Sequence, residues 1–212
     1  MAALAPASTT DLLELLHKSN ILTPARLTAV PPAGALPADP RAAVAVLVRQ
    51  GLITAFQGGQ LLAGRHKGFR IGPYAVLDLL GRGGMGAVYL AEHLELGRKV
   101  ALKILAPAPG EGRQLAAERF LREGRAAAAL DHPNIVRVFD VARHGDIPYL
   151  VLEYVDGETL QQAVDRGGPL PFAPAAEAVA QAAAGLQHAH ERGFVHRDIK
   201  PGNLIRDRRG VV

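Results

Sequence analysis

The chain has 212 residues, 49% hydrophobic and 21% charged, with a formal net charge of +4. Length fits one or two domains, apolar content excludes a wholly disordered chain, and so small a basic excess without a dense Lys/Arg block excludes the footprint of a nucleic-acid binder. The longest uninterrupted apolar run, Ala42 to Val48, is seven residues, against roughly 18 for a bilayer span, so no membrane segment is expected. Asp11 and Glu14 break up the N-terminal leucines, which argues against a secretory signal. With no cysteine, disulfides and thiolate metal sites are excluded, and a cytoplasmic location is expected.

Residues 1–64 carry an internal echo at a spacing of 31, Leu15 to Thr23 answering Val46 to Thr54. Each copy reads as an apolar helix, a turn at Asn20 or Gly51, and a second helix capped by threonine. Thr23 followed by Pro24 is an N-cap with proline at the first helical position. Thr54-Ala55-Phe56-Gln57 fits a capping box. The connector Val30 to Pro40, with four prolines, is expected to be non-helical. Two helix-turn-helix halves are therefore predicted, with 65–70 as a linker. DNA binding is the sharp alternative for such halves, but few Arg or Lys stand in the second helices, so a docking or structural module is preferred.

From Ile71 the pattern turns to strands. Tyr74–Leu80 runs into a glycine cluster; Ala87–Ala91 and Val100–Leu105 follow as β-formers. A helix is predicted over about 114–130, with Glu118/Arg122 and Arg119/Glu123 as i,i+4 charge pairs. Strands are predicted at Ile135–Val141 and Tyr149–Tyr154, then a short helix near Glu158 and a long Ala-rich one from Pro174 to about Arg192. Strands with one helix, followed mainly by helices, give an α+β, two-lobed arrangement.

Three segments carry chemistry. The first is Gly81-Arg82-Gly83-Gly84-Met85-Gly86-Ala87-Val88, where glycines let a hairpin backbone approach phosphate oxygens. A Rossmann motif would lead into a helix, with an acidic residue about 20 positions on, and a Walker A loop would end Gly-Lys-Ser/Thr. Neither condition is met, because β-formers follow and Lys103 stands in the acidic residue's place. The second is Val100-Ala101-Leu102-Lys103. A strand lysine between Leu102 and Ile104 costs free energy unless an anion neutralises it. Only five lysines stand among the 24 basic residues, and gripping phosphate with a compact charge is one reason to keep one here. Glu118 and Glu123 are the two carboxylates offered by the following helix. The third is His196-Arg197-Asp198-Ile199-Lys200-Pro201-Gly202-Asn203. Within six residues it offers a carboxylate to orient a hydroxyl, an ammonium to neutralise a phosphoryl group, and an amide oxygen for a metal.

Taken in order, and with His132-Pro133-Asn134-Ile135-Val136 and Leu152-Glu153-Tyr154-Val155 between them, these motifs resemble a bacterial eukaryotic-type serine/threonine protein kinase from about residue 71 onward. The resemblance implies an N-lobe and hinge over 71–155 and part of a C-lobe over 156–212, stopping before an Asp-Phe-Gly segment. It implies that Leu80, Gly81, Arg82, Gly83, Gly84, Met85, Gly86, Val88 and Ala101 belong to the ATP-binding set. Lys103 would hold the α/β-phosphates and pair with Glu123, chosen over Glu118 on family spacing. Glu153 and Val155 would form the hinge, with Leu152 guarding the pocket behind it. Asp198 would be the catalytic base, Lys200 would face the transferring group and Asn203 would bind Mg2+. The implied partners are ATP and a protein substrate. Without Asp-Phe-Gly, weak or absent transfer by these 212 residues is expected. A non-catalytic ATP-binding or docking protein is the alternative.

Overall fold

The computed structural model describes residues 4–84, 86–106 and 112–212. The chain forms two compact units, 1–106 and 107–212, of mixed α and antiparallel β structure, as the α+β reading requires.

The first unit begins with four helices: α1 (Thr9–Ser19), α2 (Pro24–Leu27), α3 (Pro40–Arg49) and α4 (Ala55–Leu62). The echo seen in the sequence is a structural repeat. Ser8 caps α1 and Asp39 caps α3 at the same place in each copy. Asn20 and Gly51 both take positive φ, 52° and 68°, and so turn the chain at equivalent points. Thr23 and Thr54 then cap α2 and α4, and Gln57 closes the expected capping box with Thr54. Equivalent positions share one core: Leu12 with Ala43, Leu16 with Leu47, Ile21 with Leu52 and Leu22 with Ile53 are all buried. Two short helix pairs, each too small to bury an apolar face alone, therefore bury their faces against each other. The connector expected to lack helix contains one 3-10 turn, Ala33–Ala35. Thr9 Oγ1 ties it down by donating to the carbonyls of Pro37 (2.6 Å) and Ala38 (3.1 Å). Phe69, only 2% exposed, completes this core.

Strands β1 (Arg70–Ile71), β2 (Tyr74–Gly83), β3 (Gly86–His93) and β4 (Arg98–Leu105) follow as an antiparallel meander. Two bulges interrupt the β2–β3 pairing, between Val76 and Asp78 and between Leu79 and Gly81. Bulges add local twist and re-aim a strand. Here they lie where β2 leads into the glycine cluster.

The second unit contains α5 (Gly112–Ala127), the hairpin β5 (Val138–His144) and β6 (Ile147–Glu153), β7 (Gly157–Thr159), α6 (Leu160–Gly167), α7 (Phe172–Glu191), a 3-10 turn at Pro201–Asn203 and β8 (Ile205–Asp207). The Arg119/Glu123 pair forms at 2.8 Å. Glu118 instead accepts from Gln114 Nε2 at 3.1 Å, so the expected Glu118/Arg122 pair is replaced by the other i,i+4 neighbour on the same face. β8 pairs with β7, Ile205 opposite Thr159 and Asp207 opposite Gly157. The Asp207–Gly210 turn closes with Asp207 N donating to Val211 O at 2.8 Å. Among the described residues, no helix is long and apolar enough to cross a membrane.

Candidate functional site

In the first unit the glycine cluster is the tip of the β2–β3 hairpin, with Gly81 opposite Val88, Arg82 opposite Ala87 and Gly83 opposite Gly86. Met85 lies outside the described residues. Gly86 has φ 146°, and a Cβ there would stand 1.9 Å from the Ile104 carbonyl oxygen. Only glycine lets β3 pass so close to β4 at this point. Gly81, Gly83 and Gly84 have open space where a Cβ would stand, which leaves their backbone accessible to a ligand.

Lys103 lies on β4 directly opposite Val88, and Ala101 lies opposite Leu90. Residues i and i+2 share a face of a strand, so Ala101, Lys103, Val88 and Leu90 line one side of the β3–β4 pair. Leu102 points to the other side and is fully buried, while Lys103 is half-buried. The flap's last apolar residue and the strand ammonium are thus cross-strand neighbours. Leu80, within the second bulge, is exposed.

In the second unit the loop from His196 to Asn203 gathers its three polar groups round Asp198. Lys200 Nζ lies 2.9 Å from Asp198 Oδ2. Asn203 Nδ2 donates to the same oxygen (3.0 Å) and to the Asp198 carbonyl (2.7 Å). Asp198 N in turn donates to His196 Nδ1 at 3.3 Å, so His196 orients the loop. Arg197 holds φ 66°, a left-handed conformation uncommon for a long side chain, which turns the chain so that Asp198 faces back to Asn203. Hydrogen bonds from Lys200, then Asn203, hold the Asp198 carboxyl below the usual carboxylate range. The group is therefore an anion at neutral pH, with its side chain 61% exposed.

Glu123, in the C-terminal half of α5, bonds Arg119 through Oε1. Glu153 ends β6; its N–H donates to Arg137 O at 2.9 Å, and its carboxylate accepts from Arg137 N at 3.4 Å. Val155 follows, half-buried, in the irregular stretch before β7.

Sequence reading missed a polar link between the turn at Asn134, α7 and Val212. Asn134 Nδ2 donates to Gln181 Oε1 (3.1 Å) on α7 and to the Val212 carbonyl (2.7 Å), and Val212 N donates to Gln181 Oε1 at 2.9 Å. Gly185 makes room for it, since a Cβ there would meet the Asn134 carbonyl at 2.7 Å. Nearby, the His132 and His188 rings lie 5.0 Å apart. His188 Nε2 is buried without a partner among the described residues. An asparagine in a turn and a glycine in a helix were the available signals, but their partners are too far along the chain to be read from spacing.

Residues 74–212 match the protein kinase domain family. The serine/threonine-protein kinase PrkC of Bacillus subtilis is 43% identical over 141 residues, covering 66% of this chain and 22% of that protein. Serine/threonine-protein kinase PksC of Streptomyces coelicolor is 44% identical over 165 residues, covering 73% of this chain and 29% of its own length. A crystal structure of the PknI kinase domain of Mycobacterium tuberculosis superposes with a TM-score of 0.56 at 34% identity, over 64% of this chain and 54% of that one. The chain thus spans less than a third of either curated relative. With flap, strand lysine and catalytic-type loop in family order, the chain belongs to the protein kinase family.

Proposed function

We propose that this chain carries the nucleotide-binding and catalytic-loop part of a serine/threonine protein kinase, which transfers the γ-phosphoryl group of ATP to a protein hydroxyl in the cytoplasm. Residues 1–64 are its helical module, 71–155 its N-lobe and hinge, and 156–212 its share of the C-lobe. The observation that carries the reading is the Asp198–Lys200–Asn203 cluster, an anion held ionised beside a cation on a turned loop.

In this reading Gly81 to Val88 cover the phosphates with backbone N–H groups, and Lys103, projecting from beside Val88, neutralises the α- and β-phosphates. Glu123 leaves Arg119 to orient Lys103, while Glu153 and Val155 present backbone groups to the base. Asp198 accepts the proton of the attacking hydroxyl as its oxygen bonds to the γ-phosphorus and the bridging bond to the β-phosphate breaks. Lys200 balances charge on the group in transit. The carboxylate and amide oxygens of Asp198 and Asn203 fit a hard divalent cation. Asn203 would hold Mg2+, which would offset phosphate charge.

The test is titration of the protein with a fluorescent ATP analogue in Mg2+, alongside label transfer from ATP to a generic basic protein. Lys103→Met is expected to weaken binding about tenfold or more, one charged phosphate contact being worth about 1.5–3 kcal/mol. Asp198→Asn is expected to keep nucleotide binding and to lose whatever weak transfer the parent supports. Binding that is undetectable at millimolar nucleotide, or unchanged by Lys103→Met, refutes the proposal.

A further inference from the structure

The helical module grips both strands that carry the glycine flap. On β2, β1 covers the outer edge only at Tyr74 and Ala75, and beyond them the first bulge leaves Leu77 without a partner in the β2–β3 register. Backbone carbonyls in such a place need another donor. The start of α4 supplies two. Gln57 Nε2 donates to Val76 O at 2.6 Å, and Thr54 Oγ1 donates to Leu77 O at 2.6 Å. The same side chains also cap α4: Thr54 N donates to Gln57 Oε1 (2.9 Å), and Gln57 N donates to Thr54 Oγ1 (3.1 Å). Gln57 is 3% exposed, so both ends of its amide are committed in a dry place, where each bond resists exchange for water. On β3, the Phe56 ring lies 6.2 Å from that of Tyr89, tilted by 58°, and Tyr89 immediately follows Val88. The flap's first glycine, Gly81, is four residues past Leu77.

The two repeats are not equivalent in this respect. Thr23 caps α2 as Thr54 caps α4, but at the position of Gln57 the first copy has Arg26. Its guanidinium turns to the carbonyls of Gly51 and Leu52, in the second copy. One repeat thus braces its twin, and the other faces the sheet.

We propose that the N-terminal repeat module is an intramolecular clamp, in which Thr54, Phe56 and Gln57 act as positioning residues that hold β2 and β3 at the base of the glycine flap. The clamp rests on the reading of the flap as a nucleotide cover, and its effect is to pre-organise that cover before ATP arrives. Positioning of this kind lowers the ordering cost of binding.

Two variants weaken the clamp by different routes. Phe56→Ala removes a half-buried ring. Gln57→Glu keeps a capping box, since glutamate closes one equally well, but sets an acceptor against Val76 O. Thr54→Ser keeps both hydroxyl bonds and serves as the conservative control. Hydrogen exchange in the full chain is read at the amides of Leu79–Arg82 and Val88–Leu90, with α1 and α3 amides reporting on module folding. Both variants are expected to speed flap-strand exchange about fivefold or more, the equivalent of one net hydrogen bond. Amides of α1 and α3 are expected to stay at the parent rate and Thr54→Ser to match the parent. The dissociation constant for a fluorescent ATP analogue in Mg2+ is expected to rise by a similar factor. Flap amides exchanging at the parent rate in Phe56→Ala overturn the clamp, and that variant decides the matter if Gln57→Glu unfolds the module. If the parent binds no nucleotide, the kinase reading fails, while exchange still confirms or refutes the mechanical coupling.

Discussion

Gly86→Ala separates two roles that glycines can have in one flap. A Cβ at Gly86 would stand 1.9 Å from Ile104 O, 2.9 Å from Ala106 N and 3.0 Å from Ile104 C, all backbone atoms of the adjacent strand segment. Ordinary contact between carbon atoms begins near 3.5 Å, so β4 must retreat by more than about 1 Å, and Gly86 faces Leu105 in the ladder. The φ of 146° adds about 1–3 kcal/mol of backbone strain for an L-side chain. Loss of one terminal ladder hydrogen bond adds about 1 kcal/mol. Because the hairpin tip can fray to relieve part of this, a net loss of about 2 kcal/mol is expected, a shift of about 1 M in a urea midpoint. Gly83→Ala, with nothing within 4 Å of the added carbon, is expected to stay within about 0.5 kcal/mol of the parent. The assay is urea denaturation of the first unit's signal, followed by flap-strand amides so that the local transition is isolated, with ATP-analogue binding measured in parallel. Gly83→Ala is expected to lose affinity at unchanged stability, and Gly86→Ala to lose both. Equal midpoints for the two variants would refute the close-approach argument.

The remaining predictions are electrostatic. His188 is held below the usual imidazole range by desolvation first, then by Arg192 and His132, with Glu191 and Asp131 opposing. A depressed histidine contributes a penalty only when the unfolded chain can protonate. Stability is therefore full above about pH 6.5 and falls as pH drops from there toward the lowered folded pKa; His188→Gln is expected to remove that slope in pH-dependent melting, and an unchanged slope counts against the burial argument. Asp198 gives a slope of the same sign in a lower pH window. Its lowered carboxyl pKa favours the folded loop above the usual carboxylate range, and the contribution is lost as pH falls through the lowered value. Lys200→Met is expected to move the Asp198 carboxyl upward, toward the ordinary range, in an NMR titration of side-chain carbons, and no movement would show that Asn203 alone sets it.

Local features were legible because their partners are near in sequence. The capping box at Thr54, the proline start of α2 and the Arg119/Glu123 pair each lie within four residues, and all appear as read. The 31-residue echo was visible because two copies repeat the same buried positions, which no single helix would do. The Asp198–Lys200–Asn203 cluster, confined to one loop, was legible for the same reason. β7 was missed because three residues are too few to show a period of two, and with it the partner of β8. Lys103 was placed in a strand from its apolar neighbours, but its position across from Val88 depends on register, which composition does not encode.

Gln57 shows why tertiary function escapes a local reading even when the residue is found. A glutamine three places after a threonine N-cap is fully explained by its Oε1, which accepts from Thr54 N. That explanation leaves two amide protons unassigned on a side chain that the structure buries. A solvated surface would satisfy them at no cost; a buried one cannot leave them unpaired without losing about 1–3 kcal/mol. The residual donor therefore demands an acceptor from elsewhere in the chain, and it finds Val76 O, 19 residues away, where the end of β1 leaves the edge of β2 open. Thr54 repeats the logic with its hydroxyl, which accepts inside the cap and donates to Leu77 O outside it. Local chemistry fixes one half of each side chain's hydrogen bonding, and the half left over is what joins the helical module to the flap's strands.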